Sequence, residues 1–176
     1  MQEKILSLLI LLVLMFSCAY FLNRNNNETF PKKTVINKQF RFHTATGFVN
    51  DFENLIDRVD EISFTRLIQT HENKTTNQIA IVTLDTIYNN QKFDAYTLAL
   101  ANHWGVGQKD KDNGILIAVS KKYKKMRIQV GDGLLKKLTN KESQNIVDSI
   151  FVPQFKLENY AKGIENGLIR IIKELE

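Results

Sequence analysis

The chain predicts an α/β fold, a three-layer α/β/α sandwich around a small mixed sheet, and three observations carry that reading. The run "QIAIVTL" at 78–84 and the run "ILIAVS" at 115–120 are short, β-branched and mostly apolar, as strands covered on both faces are. Between them Phe93, Tyr96, Leu100 and Trp104 recur at helical spacing, so a helix joins two parallel strands. After them "KMRIQVG" at 125–131 alternates apolar and polar residues across a short Lys-rich break, which adds a hairpin strand.

Taken in order, Asp57 precedes a helical pattern of Val59, Ile62, Leu67 and Ile68, with Asp60 and Glu61 in the first turn where the helix dipole favours them. The first strand follows at 78–84. The second helix stops at Gly105, a residue that ends helices without steric cost. If residues 121–124 form the hairpin loop, Ser120 pairs with Lys125 and Ile115 with Val130. "TNKE" at 139–142 is a capping box that starts a helix, and Pro153 is expected to end it. A last helix from about Asn159 buries Ile164, Leu168, Ile171 and Leu175.

The amino terminus carries a different signal. Ile5 to Phe16 is almost wholly apolar, and the small residues Ser17, Cys18 and Ala19 follow it, as in an export signal. The run has 12 residues, short of the roughly 20 a membrane-spanning helix needs. Three fates are open to it: plain cleavage, lipidation of Cys18 in the lipobox-like "MFSC", or retention as an anchor. Each exports the domain and the last two hold it at a membrane. Residues 1–18 are therefore read as a signal peptide or lipoprotein signal, 19–39 as a polar, Asn-rich tether, and 40–176 as one folded domain.

Cys18 is the sole cysteine, so no intramolecular disulfide and no cysteine-based metal site exists. A net charge of +5 and a pI near 9.2 permit an anionic partner. No helix-turn-helix, zinc-finger or RNA-binding aromatic signature accompanies that charge, so no nucleic-acid partner is expected. The densest basic stretch, "KKYKK" at 121–125, reads as a solvated hairpin tip. His43, His71 and His103 are widely separated and read as structural residues.

The acidic residues are more suggestive. Hairpin pairing continued past the strand ends brings Asn113 beside Asp132 and Asp112 beside Gly133, so "KDKDNG" at 109–114 and "VGDG" at 130–133 meet at one end of the sheet. Two readings stand there: strong turn formers, or a set of hard oxygen ligands of the kind calcium and magnesium take. Metal candidates are Asp51, Asp110, Asp112, Asn113 and Asp132, with a divalent cation, Ca2+ or Mg2+, as the expected cofactor. No catalytic residue is legible.

Several of these segments together resemble the TPM domain, a family named after a thylakoid lumen protein, a photosystem II repair protein and a modulator of the levamisole receptor. The resemblance runs from about Gly47 to Ile172. It is carried by "FVNDF" at 48–52, "QIAIVTL", "FDAYTLALANHWGVG" at 93–107, "KDNGILIAV" at 111–119, "RIQVGDGL" at 127–134 and "IFVPQF" at 150–155. It implies an exported α/β sandwich held at a membrane, cation binding at an acidic cluster matched here by Asp51, Asp94 and Asp112, and in some members acid phosphatase activity. Asn113 stands where the family usually has a second Asp, Asp132 where it often has Tyr, and Leu135 where Glu is common. The expected function is that of a membrane-tethered, cation-binding accessory module in membrane-protein assembly, repair or regulation, with a membrane-protein partner; the alternative is a metal-dependent acid phosphatase.

Overall fold

A computed structural model describes residues 41–176; the signal segment, Cys18 and the tether up to residue 40 lie outside the described residues. The four-stranded sheet runs in the order β1 (Val49–Asp51), β2 (Gln78–Thr83), β3 (Gly114–Ser120), β4 (Lys125–Val130). The first three strands are parallel and β4 is antiparallel to β3. The expected hairpin register holds, with Ile115 opposite Val130 and Ser120 opposite Lys125.

Strand β1 was not expected. Its three residues are too few for a period to show, and they form a strand because β2 offers them an edge: Val49 lies beside Ile81 and Asp51 beside Thr83. Every residue of β3 is buried, since both of its faces are covered. On one face Ile79, Ile81, Ile115, Ile117 and Val119 pack against Phe64 and Ile68 of helix α1 (Arg58–Thr75) and against the carboxyl-terminal helices. On the other, Ala80, Val82, Leu116 and Ala118 pack against Phe93, Tyr96 and Leu100 of α2 (Phe93–Trp104). The chain thus steps β1 to β2 to β3 in one direction while placing α1 and α2 on opposite faces. Its two crossovers must have opposite hands, and one departs from the right-handed rule.

Two helical expectations need correction. In α1 the buried stripe is Phe64, Ile68 and His71, at spacings of four and three, whereas Val59 and Ile62 face solvent. Pro153 does not end its helix. The capping box starts α3 (Asn140–Ile146), with Glu142 N–H donating to Thr139 Oγ1 at 3.2 Å and Thr139 N–H to Glu142 Oε2 at 2.7 Å. The chain then widens into a π segment, Val147–Phe151, and continues as α4 (Val152–Lys156). The wider turn, in which Val152 N–H reaches the Val147 carbonyl, lets Pro153 enter at the start of a new α segment, where its missing N–H costs little. Helix α5 (Tyr160–Leu175) buries Ile164, Leu168, Ile171 and Leu175 as expected.

The π segment brings Phe151 against α5 at Gly167, where an added Cβ would overlap the ring. Phe151 is fully buried and has nowhere to move. Gly167→Ala is expected to lower stability by about 1–2 kcal/mol in urea unfolding, overpacking outweighing the helix-propensity gain. His71 makes a second prediction. It is buried, its Nε2 lies 3.4 Å from Asn77 Nδ2, and its Nδ1 has no partner among the described residues. Burial pushes the ring below its ordinary value of 6.5; Glu176 opposes the shift, and the positive charges of Lys137 and Lys74 add to it. The unfolded state therefore binds the extra proton first as pH falls. Stability from this residue is complete above about pH 6.5 and is lost as pH drops through the folded-state value, and His71→Leu should flatten that slope in denaturation midpoints measured between pH 7 and 5.

Candidate functional site

The two ends of the sheet differ, and the acidic candidates divide between them. At the carboxyl end of the parallel strands the loop after β1 leaves toward α1 while the loop after β2 leaves toward α2. Such divergence opens the crevice in which open α/β sheets take their ligands. Here the protein fills it with its own groups. Asp51, the last residue of β1, accepts hydrogen bonds from Leu55 N–H (3.1 Å), Ile56 N–H (2.8 Å) and the Thr83 hydroxyl (2.5 Å). Thr83 Oγ1 in turn accepts from Glu53 N–H at 2.9 Å. The His43 ring stacks on Phe52, centroids 4.3 Å apart, beside the same strand end.

Glu53 closes the neighbouring gap. Its two carboxylate oxygens accept the backbone N–H groups of Lys121 (2.8 Å) and Lys122 (3.0 Å) in the hairpin loop. The Ser120 hydroxyl donates to the Leu84 carbonyl at 2.6 Å and accepts from Tyr123 N–H at 3.2 Å. Lys122 Nζ reaches the Asp85 carbonyl at 2.8 Å. The hairpin tip is thereby tied down over the strand ends, and a carboxylate held by two N–H donors makes charge-assisted bonds that are among the stronger ones available. Glu53 was not a sequence candidate. Its one trace is its place two residues after Asp51, and nothing in "NDFE" says that its partner lies in the hairpin.

At the amino end of the strands the two expected loops do converge. Gly131 N–H donates to the Gly114 carbonyl at 2.8 Å and Gly133 N–H to the Asp112 carbonyl at 3.1 Å. A Cβ at Gly131 or Gly133 would overlap the Asp112 or Lys111 carbonyl, which is why "GDG" carries glycine at both places. Asp112 itself turns with φ 45°, a left-handed conformation that Asp tolerates better than most residues.

The convergence is one of backbones. Asn113 is buried and its amide is spoken for: Oδ1 accepts from Gln108 N–H at 2.8 Å and Nδ2 donates to the Thr76 carbonyl at 2.7 Å. Asp110, Asp112 and Asp132 are exposed. Asp51 is a whole strand length away, about 20 Å at 3.3 Å per residue, and Asp94 sits in the first turn of α2. Among the described residues no three His, Cys, Asp or Glu side chains are placed to hold a metal ion. The expected set of ligand side chains is thus not assembled among the described residues, and "KDKDNG" forms a turn that packs against "GDG".

The surface beside the hairpin holds residues that sequence reasoning passed over. A groove of about 410 Å³ runs between the hairpin and the α4–α5 corner. Its floor is Met126, Val152, Phe155 and Tyr160, and Lys124, Lys125 and Lys156 stand on its walls. "KKYKK" was visible in the sequence as a basic tip; its apposition to "VPQFK" was not, because a contact across 30 residues leaves no periodic trace.

Among solved structures the chain is similar to the N-terminal domain of a protein from P. gingivalis, with TM-score 0.68 and 27% identity over 74% of this chain and 82% of that one. It also resembles the N-terminal domain of a protein from Corynebacterium glutamicum, with TM-score 0.58 and 15% identity over 77% of this chain and 84% of that one. A protein from the psychrophilic bacterium Bizionia argentinensis matches with TM-score 0.53 and 23% identity over 70% of this chain and 83% of that one. The last two likenesses speak for the fold alone. No curated protein matches. The model of the TPM domain matches residues 49–174, from the first residue of β1 nearly to the end of α5, and the chain belongs to the TPM domain family.

Proposed function

We propose that this TPM domain is a binding module held at a membrane, an accessory to the assembly, repair or regulation of membrane proteins, and that it is not a phosphatase. One observation carries the reading. At the carboxyl end of the parallel strands, where an α/β hydrolase would seat its substrate, Asp51, Glu53, Thr83 and Ser120 are committed to hydrogen bonds within the protein. These bonds hold β1, the loop after it and the hairpin in place, and they take up most of the acceptor capacity of the two carboxylates, which are thereby fixed as structural anchors rather than poised as general bases. What the fold turns outward instead is a tied-down basic hairpin with an apolar groove beside it, a surface suited to a macromolecular partner.

Export and membrane attachment are proposed from the apolar segment Ile5–Phe16 and from Cys18. Among the described residues no helix is long and apolar enough to cross a membrane, so attachment is assigned to the preceding segment. A resident cation is not part of the proposal, because Asp110, Asp112, Asn113 and Asp132 are not gathered round one point.

The test is turnover of a phosphate monoester by the full chain in calcium or magnesium, from about pH 5 to 8, beside Asp51→Ala and Asp112→Ala. Hydrolysis indistinguishable from buffer in all three is expected. Turnover by the unaltered chain that either substitution abolishes overturns the reading and establishes a metal-dependent phosphatase.

A further inference from the structure

We propose that the groove between the β3–β4 hairpin and the α4–α5 corner binds an extended, acidic segment of a partner protein. The proposal rests on the binding-module reading above and names its partner class.

Charge is the first argument. Lys124, Lys125 and Lys156 line the groove, and none takes part in an ion pair among the described residues. The one carboxylate there, Glu158, is already paired with Lys121 at 2.5 Å, whose ammonium also lies over the Tyr160 ring, 5.3 Å from its centroid. Behind Ser120 the Glu53 carboxylate is engaged by the Lys121 and Lys122 N–H groups, so the unpaired charge on the lining side chains themselves is positive, and its complement is a row of carboxylates.

Shape is the second argument. Met126, Val152, Phe155 and Tyr160 are partly buried side chains that continue the core outward to the groove floor. Phe155 and Tyr160 stack with centroids 4.9 Å apart and add aromatic surface to the same lining that carries the lysines. β4 is the last strand of the sheet, and Lys125 and Met126 at its start line the groove. An extended chain lying beside them alternates its side chains, so apolar groups can reach the floor while carboxylates reach the walls. Lipid headgroups offer no such alternation of apolar and acidic groups along one line.

Backbone strain is the third. Lys124 (φ 52°) and Glu158 (φ 59°) both hold left-handed conformations at positions where Gly or Asn would sit at lower cost, and both line this groove. Their side chains are kept at some expense in stability, as binding positions often are.

The experiment is a fluorescence-anisotropy titration of the full chain, in low and in physiological salt, with a fluorescein-labelled peptide in which Glu alternates with Leu and Phe. A peptide of the same composition with its apolar residues gathered at one end serves as control. The alternating peptide should bind more tightly, more weakly at higher salt, and the triple variant Lys124→Glu, Lys125→Glu, Lys156→Glu should raise Kd at least about tenfold. Charge reversal at the exposed Lys109, Lys136 and Lys141, outside the groove, should change it less than about twofold. Equal loss with both triple variants, or no preference for the alternating peptide, overturns the groove. Flotation with phosphatidylglycerol vesicles that needs Lys124, Lys125 and Lys156, without peptide binding, overturns it in favour of a membrane surface. These outcomes are separate from the phosphatase assay: loss of groove binding with no turnover leaves a binding module with another surface, whereas turnover defeats that module reading whatever the groove binds.

Discussion

Two carboxylates spaced two residues apart, Asp51 and Glu53, tie the edge of the sheet to everything that gathers at its carboxyl end. Asp51 accepts the backbone of Leu55 and Ile56 and the Thr83 hydroxyl; Glu53 accepts the backbone of Lys121 and Lys122. A three-residue strand has little hydrogen bonding of its own, and these side-chain bonds hold it and set the direction in which the chain leaves toward α1. They also satisfy N–H groups of the hairpin loop that no ladder can reach. The same bonds span the crevice created where the crossovers diverge, so the order of this end and the engagement of its polar side chains have one cause.

The opposite end is built by backbone approach instead. Gly131 and Gly133 let the segment after β4 lie against the carbonyls of Lys111 and Asp112, and Asn113 spends its amide on Gln108 and Thr76. An acidic sequence there produces a compact turn with its carboxylates in solvent. The basic hairpin and the groove beside it, propped by Glu53 from below and closed by the Lys121–Glu158 pair at one side, form the more structured surface.

Most of the architecture was legible in the sequence because its signals are local. β2, β3 and α2 announce themselves by mostly apolar, β-branched runs and a three-four-four apolar spacing, and the hairpin register follows from the loop length alone. What stayed hidden depends on partners distant in the chain. β1 exists because β2 lends it an edge. Pro153 is accommodated by a π turn that no residue preference foretells. Val59 and Ile62 looked like core but face solvent, since α1 turns Phe64, Ile68 and His71 inward instead. At the site, the meeting of "KDKDNG" with "VGDG" was foreseen from register arithmetic, whereas the split between Asp51 and the other candidates required knowing that β1 runs parallel to β2 and ends at the far side.

The central claim, that Glu53 pins the hairpin across the strand ends, is tested most directly by hydrogen exchange at the Lys121 and Lys122 amides in the unaltered chain and in Glu53→Ala. A hydrogen bond to a charged group contributes about 1.5–3 kcal/mol, so both amides should be protected in the former and exchange roughly ten to a hundredfold faster in the latter, beyond any change at core amides such as Ile117. Equal exchange in the two proteins would contradict the account, because the hairpin would then be held without its carboxylate.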